Sequence, residues 1–203
     1  MIKYLSLFIL LFSSNIFFSQ KVNPIIFIEL GTGYANDFTN KGGLNQFGEL
    51  NFETNKNLFS VRYSELYQFG LDILLISPIT PIPVIALEVE YNEIAFLYGR
   101  RYTKNNFAYS FSGGISTNKY IQGFKNENNE WFQEKKNFIG FPFEFNVKWF
   151  KNNKSKYKIY EIIPVGKETG LGNSIGFKLL GNISQHSFIG VGIVMGIGYH
   201  KEY

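Results

Sequence analysis

From Ser187 to Tyr203 the chain alternates between large apolar side chains and very small ones. Ile189, Val191, Ile193, Met195, Ile197 and Tyr199 fall on one side of an extended chain; Gly190, Gly192, Val194, Gly196, Gly198 and His200 fall on the other. A period of two makes this a strand with one wholly apolar face. Its length meets the roughly 9–11 residues that a tilted strand needs to cross a bilayer. The second face of a soluble sheet would carry Lys, Glu or Thr, because glycine weakens a strand and has nothing to pack. A glycine-rich face suits instead the cramped interior of a small closed barrel, with the apolar face turned to lipid. The stretch reads as the closing strand of such a barrel.

Seven more alternating stretches supply its partners. The first, Ile25 to Ala35, sets Ile26, Ile28, Leu30 and Tyr34 against Phe27, Glu29, Gly31 and Gly33. The second, about Leu44 to Thr54, opposes Leu50 and Phe52 to Glu49, Asn51 and Glu53, and a polar loop, Asn36 to Gly43, precedes it. After a tight turn at Thr54–Asn57, the third puts Phe59, Val61 and Tyr63 outward and Ser60, Arg62 and Ser64 inward. The fourth carries Ile94, Phe96 and Tyr98 outward against Glu93, Ala95, Leu97, Gly99 and Arg101. The fifth follows a short turn near Thr103–Asn106 and opposes Phe107, Tyr109, Phe111 and Ile115 to Ala108, Ser110, Ser112, Gly114 and Ser116. The sixth runs through Ile139, Phe141, Phe143, Phe145, Val147 and Trp149, with Gly140, Pro142, Glu144, Asn146 and Lys148 behind them. Pro142 lacks an N–H, which predicts a bulge or local gap there. The seventh, about Asn173 to Ile183, sets Ile175, Phe177 and Leu179 against Ser174, Gly176, Lys178 and Leu180; Ser184–His186 then turns the chain into the last.

Between these stretches, Glu65 to Glu90 reads as a long connection. Pro78, Pro81 and Pro83 exclude a helix or an interior strand from its apolar centre, Ile73 to Leu87. Lys119 to Asn137 reads as a second long loop. Short and long connections alternate, as expected of short periplasmic turns and longer outer loops. Lys151 to Gly172 breaks the rule: it is long, and Tyr157 to Val165 has strand character of its own. A ninth strand would put the termini on opposite sides of the membrane. The segment is therefore expected to be an insertion that extends strands six and seven below the membrane. The predicted fold class is all-β, an antiparallel up-and-down transmembrane barrel of eight strands.

Composition agrees. Charged residues are 18% of the chain, below the quarter typical of soluble domains, and aromatics reach 18%, as a lipid-facing wall with aromatic girdles requires. A net charge of +4 is too slight and too scattered to argue for nucleic acid. Without cysteine there is no disulfide, no thiolate metal site and no acylated anchor. Met1 to Gln20 has a minimal basic start at Lys3 and an apolar run from Leu5 to Leu11, which Ser13, Ser14 and Asn15 interrupt. That pattern reads as a signal peptide, residues 1–19, cleaved after Ser19, leaving 20–203 as one barrel domain exported to the outer membrane.

Several short segments, taken in order, resemble the small eight-stranded outer-membrane barrels of Gram-negative bacteria, the OmpA/OmpX-like type, including a branch of envelope proteins with no known ligand. They are Ser60-Val61-Arg62-Tyr63, Leu97-Tyr98-Gly99-Arg100, Ile139-Gly140-Phe141-Pro142-Phe143-Glu144, Ile175-Gly176, Gly181-Asn182-Ile183 and the glycine-spaced end from Gly190 to Tyr199. The resemblance implies an outer-membrane location, membrane lipid as surroundings and the barrel-assembly machinery as a partner that reads a terminal aromatic. Tyr203 is terminal here, although Lys201 breaks the alternation before it.

Chemistry concentrates in two places. The inward positions place Glu29, Glu49, Arg62, Glu144 and Lys178 near mid-height, and Glu53, Arg101 and Lys148 nearer the periplasmic end. Such charges form either a polar conduit or, the plainer reading, an ion-pair network filling a barrel too narrow for a channel. Outside, Pro78, Pro81, Pro83, Trp131 and Phe132 fall on outer loops; they are candidates for contact with a surface polymer or envelope protein, or, equally, the two loops pack on each other as a lid over the barrel mouth. His186, beside Ser184 and Ser187, raises a lipid-modifying Ser–His enzyme; no acid neighbours it in sequence, and a plain surface histidine is the simpler account. Two distant histidines make no metal site, and neither Gly166-Lys167 nor the glycines after Ser187 have nucleotide-binding spacing, so no cofactor is expected. The function expected is a non-enzymatic, plugged outer-membrane barrel with a structural or surface-interaction role. The alternatives are the lipid-modifying enzyme and a soluble ligand-binding barrel.

Overall fold

The computed structural model describes residues 25–38, 42–77, 80–125, 131–159 and 162–202; for 71–87, 124–125 and 131 it describes backbone alone. The signal segment and its cleavage site, Pro78 and Tyr203 lie outside these residues.

The described strands are β1 (Ile25–Asp37), β2 (Gly42–Thr54), β3 (Asn57–Ser77), β4 (Thr80–Lys104), β5 (Phe107–Lys125), β6 (Trp131–Phe150), β7 (Ser155–Ile159), β8 (Ile163–Thr169), β9 (Leu171–Ile183) and β10 (Phe188–Tyr199). Eight of them close a barrel in the order β1-β2-β3-β4-β5-β6-β9-β10, with β7 and β8 set apart as a two-stranded sheet. All pairings are antiparallel, and β10 closes the ring against β1, where Leu30 meets Met195 and Gly33 meets Gly192. The glycines let this seam form: a Cβ on Gly33 would stand 2.1 Å from the Val191 carbonyl oxygen. At Gly198, φ is +149° and a Cβ would fall 2.4 Å from the Ile26 oxygen, so only glycine serves. The β2–β3 hairpin turns on Asn55 (φ 50°) and Lys56 (φ 67°), the two left-handed positions of a two-residue turn whose twist matches its strands.

The barrel is inside-out relative to a soluble protein. Leu30 (67% exposed), Phe96 (63%), Ile139 (65%) and Met195 (62%) stand on the outer wall, whereas Glu29, Arg62, Glu93 and Arg101 are completely buried. An apolar wall around a charged interior is what a bilayer requires and the reverse of a soluble ligand-binding barrel. Aromatic rings mark the end with the short turns: Phe59 lies 5.2 Å from Tyr98, Tyr102 stacks on Tyr109 at 5.1 Å and Phe107 lies 5.7 Å from Trp149. Toward the other end, the hydroxyls of Tyr63 and Tyr67 both donate to Glu65, at 2.6 and 2.7 Å.

Three expectations are corrected. Glu65 to Glu90 is no long loop: β3 and β4 pair from Asn57↔Arg100 up to Ser77↔Thr80, with register shifts at Gln68/Phe69 and Leu75/Ser77. Pro81 and Pro83 are tolerated within β4 because its other ladder, to β5, ends at Val89↔Gln122, leaving an open edge where a missing N–H costs no bond. Lys119 to Asn137 is likewise mostly strand, since β5 and β6 stay paired up to Lys125↔Trp131. The mostly polar make-up of Lys119 to Asn137 hides these strand ends from a period-two reading. The polar stretch Asn36 to Gly43 also shrinks, as β1 reaches Asp37 and β2 begins at Gly42. At Pro142 a gap, not a bulge, is found: the β5–β6 ladder lapses between Gly113↔Phe143 and Ser116↔Gly140 with register unchanged. Lys151 to Gly172 contains the separate β7–β8 hairpin and adds no ninth strand to the wall.

Candidate functional site

The closed lumen is the most elaborate polar structure in the molecule. Every even residue of β6 and β9 in the wall points inward, as does every odd residue of β1, so strands far apart in sequence converge on one narrow interior. At mid-height the Arg62 guanidinium spans two carboxylates. Its Nε and Nη2 donate to Glu93 Oε1 at 3.1 and 2.8 Å, and its Nη1 to Glu144 Oε2 at 3.0 Å. Ser112 donates to the other oxygen of Glu144 at 2.9 Å. Lys178 completes the group, with Nζ bonded to Glu49, 3.2 Å from Glu144 and 3.4 Å from Glu29. Lys148 pairs with Glu29, and Asn146 donates to the second oxygen of Glu29 at 3.2 Å.

All five residues expected at mid-height, Glu29, Glu49, Arg62, Glu144 and Lys178, thus meet in one network. Glu93 was placed inside by strand parity but not assigned to this group, yet it takes two bonds from Arg62 and one from Asn182. Asn182 also donates to Ser116 and Asn118, at 2.8 and 3.1 Å. Four carboxylates (Glu29, Glu49, Glu93, Glu144) share three cations (Arg62, Lys148, Lys178), so the group carries excess acid and depends on every cation present.

Buried side chains crowd both ends of the network. At the end with the short turns, Arg101 pairs with Glu53 at 2.5 Å and donates to the His200 carbonyl at 2.7 Å. Its guanidinium carbon lies 5.0 Å from the Phe27 ring centroid and 5.6 Å from that of Phe150. At the opposite end lies a buried apolar cluster of Ala35, Phe47, Leu66, Tyr91, Leu180, Phe188 and Val194, with Tyr120 and Phe138 packed on it. Tyr91 meets Phe188 edge-on at 5.1 Å. No donor set here fits a metal: among the described residues no cluster of three or more His, Cys, Asp or Glu has the spacing to hold one.

His186 caps that end from the β9–β10 turn. Its ring stacks on Tyr120, with centroids 3.8 Å apart and planes 8° from parallel, and lies 5.4 Å from Phe138. Partial burial, aided by the Lys136 charge, lowers its pKa below the ordinary 6.5. The neighbouring hydroxyls are turned elsewhere: Ser184 Oγ donates to the His186 carbonyl and Ser187 Oγ to the Ser184 carbonyl, at 3.0 and 2.9 Å. The imidazole is a packing group in this arrangement, with no serine hydroxyl poised on it.

Of the outer-loop candidates, Pro78 lies outside the described residues. Pro81 and Pro83 lie in the backbone of β4, and Trp131 begins β6, paired with Lys125. Phe132, opposite Phe124, is 44% exposed.

No family model and no curated protein matches this chain. Among solved structures it is similar to Neisserial surface protein A, with a TM-score of 0.50 and 9% identity over 86% of this chain and 96% of that one. The N-terminal β-barrel domain of Pseudomonas aeruginosa OprF is similar with a TM-score of 0.48 and 9% identity over 87% and 100% of the two chains. The attachment invasion locus protein of Yersinia pestis follows with a TM-score of 0.47 and 8% identity over 86% and 96%. At such identities the likeness is one of fold: a small eight-stranded barrel of the outer-membrane type.

Proposed function

We propose that this chain is an integral outer-membrane protein with a plugged lumen, acting through its outer ribbons in a structural or surface-contact role. The observation that carries the reading is the triple closure of the bore: the Arg101–Glu53 stopper, the ion-pair network and the apolar cluster lie one above another. An eight-stranded barrel leaves room for side chains and little else, and here those side chains are interlocked. Transport through the bore would require several buried charge pairs to break together, each at a cost of several kcal/mol.

What remains to meet other molecules is the outer end. Above Val89↔Gln122 the β3–β4 and β5–β6 hairpins part and rise as two ribbons. Two-stranded ribbons with open edges suit contact with an extended polymer or another envelope protein. The test of the plug is electrical: folded protein in planar lipid bilayers should give no stable open level at neutral pH, and reproducible single-channel steps would make transport the leading function instead.

A further inference from the structure

The β7–β8 hairpin is a two-stranded sheet outside the barrel wall. A lone hairpin of this size is marginal in water and needs a surface to lie on. Its pairings sort its side chains into two faces. Tyr157↔Val165 and Ile159↔Ile163 share one, Lys156↔Glu168 and Lys158↔Pro164 the other. The amide of Ile162 donates to the Ile159 carbonyl at 3.1 Å, closing the turn with a side chain that is 78% exposed. Ile159, Ile163 and Val165 are also exposed. The hairpin thus presents an apolar face and tip without cover among the described residues.

Its position and charge point to one occupant. The segment 151–169 holds Lys151, Lys154, Lys156, Lys158 and Lys167 against Glu161 and Glu168. Only 151–154 separate β7 from the end of β6, and Gly170 alone separates β8 from β9. Four extended residues reach at most about 14 Å, so the hairpin hangs beside the membrane edge of the wall. There the apolar wall carries a groove of about 1220 Å³, lined by Ile28, Leu30, Trp149, Met195 and Ile197 and running down to Lys151 and Asn152. A sheet with one apolar and one cationic face, tethered at the rim of an apolar wall, has the chemistry of an interfacial lipid binder.

We propose that the β7–β8 hairpin is a membrane anchor: it lays Ile159, Ile162, Ile163 and Val165 into the periplasmic-leaflet phospholipid of the bilayer that the barrel spans, its lysines holding anionic headgroups. The anchor rests on the transmembrane reading of the barrel. It would fix the tilt of the barrel on the side between β6 and β9.

The chain has no cysteine, so a single introduced one can carry a nitroxide without background. Full-length Ile162→Cys, Lys156→Cys and Met195→Cys, each labelled and folded into vesicles of phosphatidylcholine with phosphatidylglycerol, would be compared for collision with oxygen and with an aqueous nickel chelate. The label at 162 should favour oxygen several-fold over the label at 156, and the difference should shrink when phosphatidylglycerol is omitted. A label at 162 as open to nickel as the one at 156, or shielded from both probes as in a protein contact, overturns the anchor. Nickel access at 195 as well would mean that the barrel itself is not in lipid, a failure of the premise that is distinguishable from failure of the anchor.

Discussion

Glu144 is the residue through which the lumen network is joined, since it alone accepts from Arg62, Lys178 and Ser112 together. Glu144→Gln keeps the shape and removes the charge, so that Arg62 is left with Glu93 alone and Lys178 with Glu49 and Glu29. The expected loss is about 1–3 kcal/mol, the usual cost of losing buried charge-assisted bonds whose donors keep another carboxylate. Equilibrium urea unfolding in detergent or vesicles, read by the fraction migrating as folded barrel, checks it. A mutant as stable as the parent would assign closure to the apolar cluster instead. At the outer cap the sign of the pH dependence follows from His186. Its folded pKa lies below 6.5, so the neutral stacked ring stabilises the cap fully above about pH 6.5 and less as pH falls through the folded value. Lys136 opposes protonation, while Asp37 and Glu134 favour it. Amide exchange at 184–188, corrected for intrinsic rates, should therefore quicken in acid, and His186→Phe should remove that response.

Among the elements, strand parity carries the account. Met195 faces lipid and Ser112 faces the lumen, where it bonds Glu144. Met195→Arg should cost roughly 2–4 kcal/mol near the midplane. Ser112→Leu should fail for a different reason, by forcing a larger side chain into a filled bore and removing a donor from Glu144. Folding yields that rank the two the other way, with Met195→Arg neutral, would invert the faces. Parity was legible in the sequence because lipid on one side and a packed interior on the other leave no freedom in the alternation. It places inside the nine lumen charges that are buried among the described residues. Equal height in the wall already offered Arg62 or Lys178 as the partner of Glu144, and both pair with it; the pair of Lys148 with Glu29 was not legible, because the two are 119 residues apart and only closure of β10 on β1 and the pairing of β6 with β9 bring them together. Glu93 was undervalued for the same reason. The outer ribbons were misread as loops because the alternation that betrays a strand is imposed by the bilayer and lapses above it. Prolines at an open edge, such as Pro81 and Pro83, carry none of the penalty that they would carry in the wall.

At the scale of the molecule, the two ends are chemically different. The end with the short turns has a girdle of aromatic rings, the Arg101–Glu53 pair and the lysine-rich β7–β8 hairpin; the other has the apolar cluster, the His186 cap and the two rising ribbons. On the proposed reading, plugging, anchoring and surface contact are allotted to separate tiers of the barrel. All of this depends on the wall standing in lipid. The most direct test is fractionation of cells producing the chain. The protein should sediment with outer membranes, resist extraction by salt, require detergent for release and migrate at different positions when boiled and unboiled. Recovery in the soluble periplasmic fraction, with a single migration position whatever the heating, would contradict a membrane-spanning barrel.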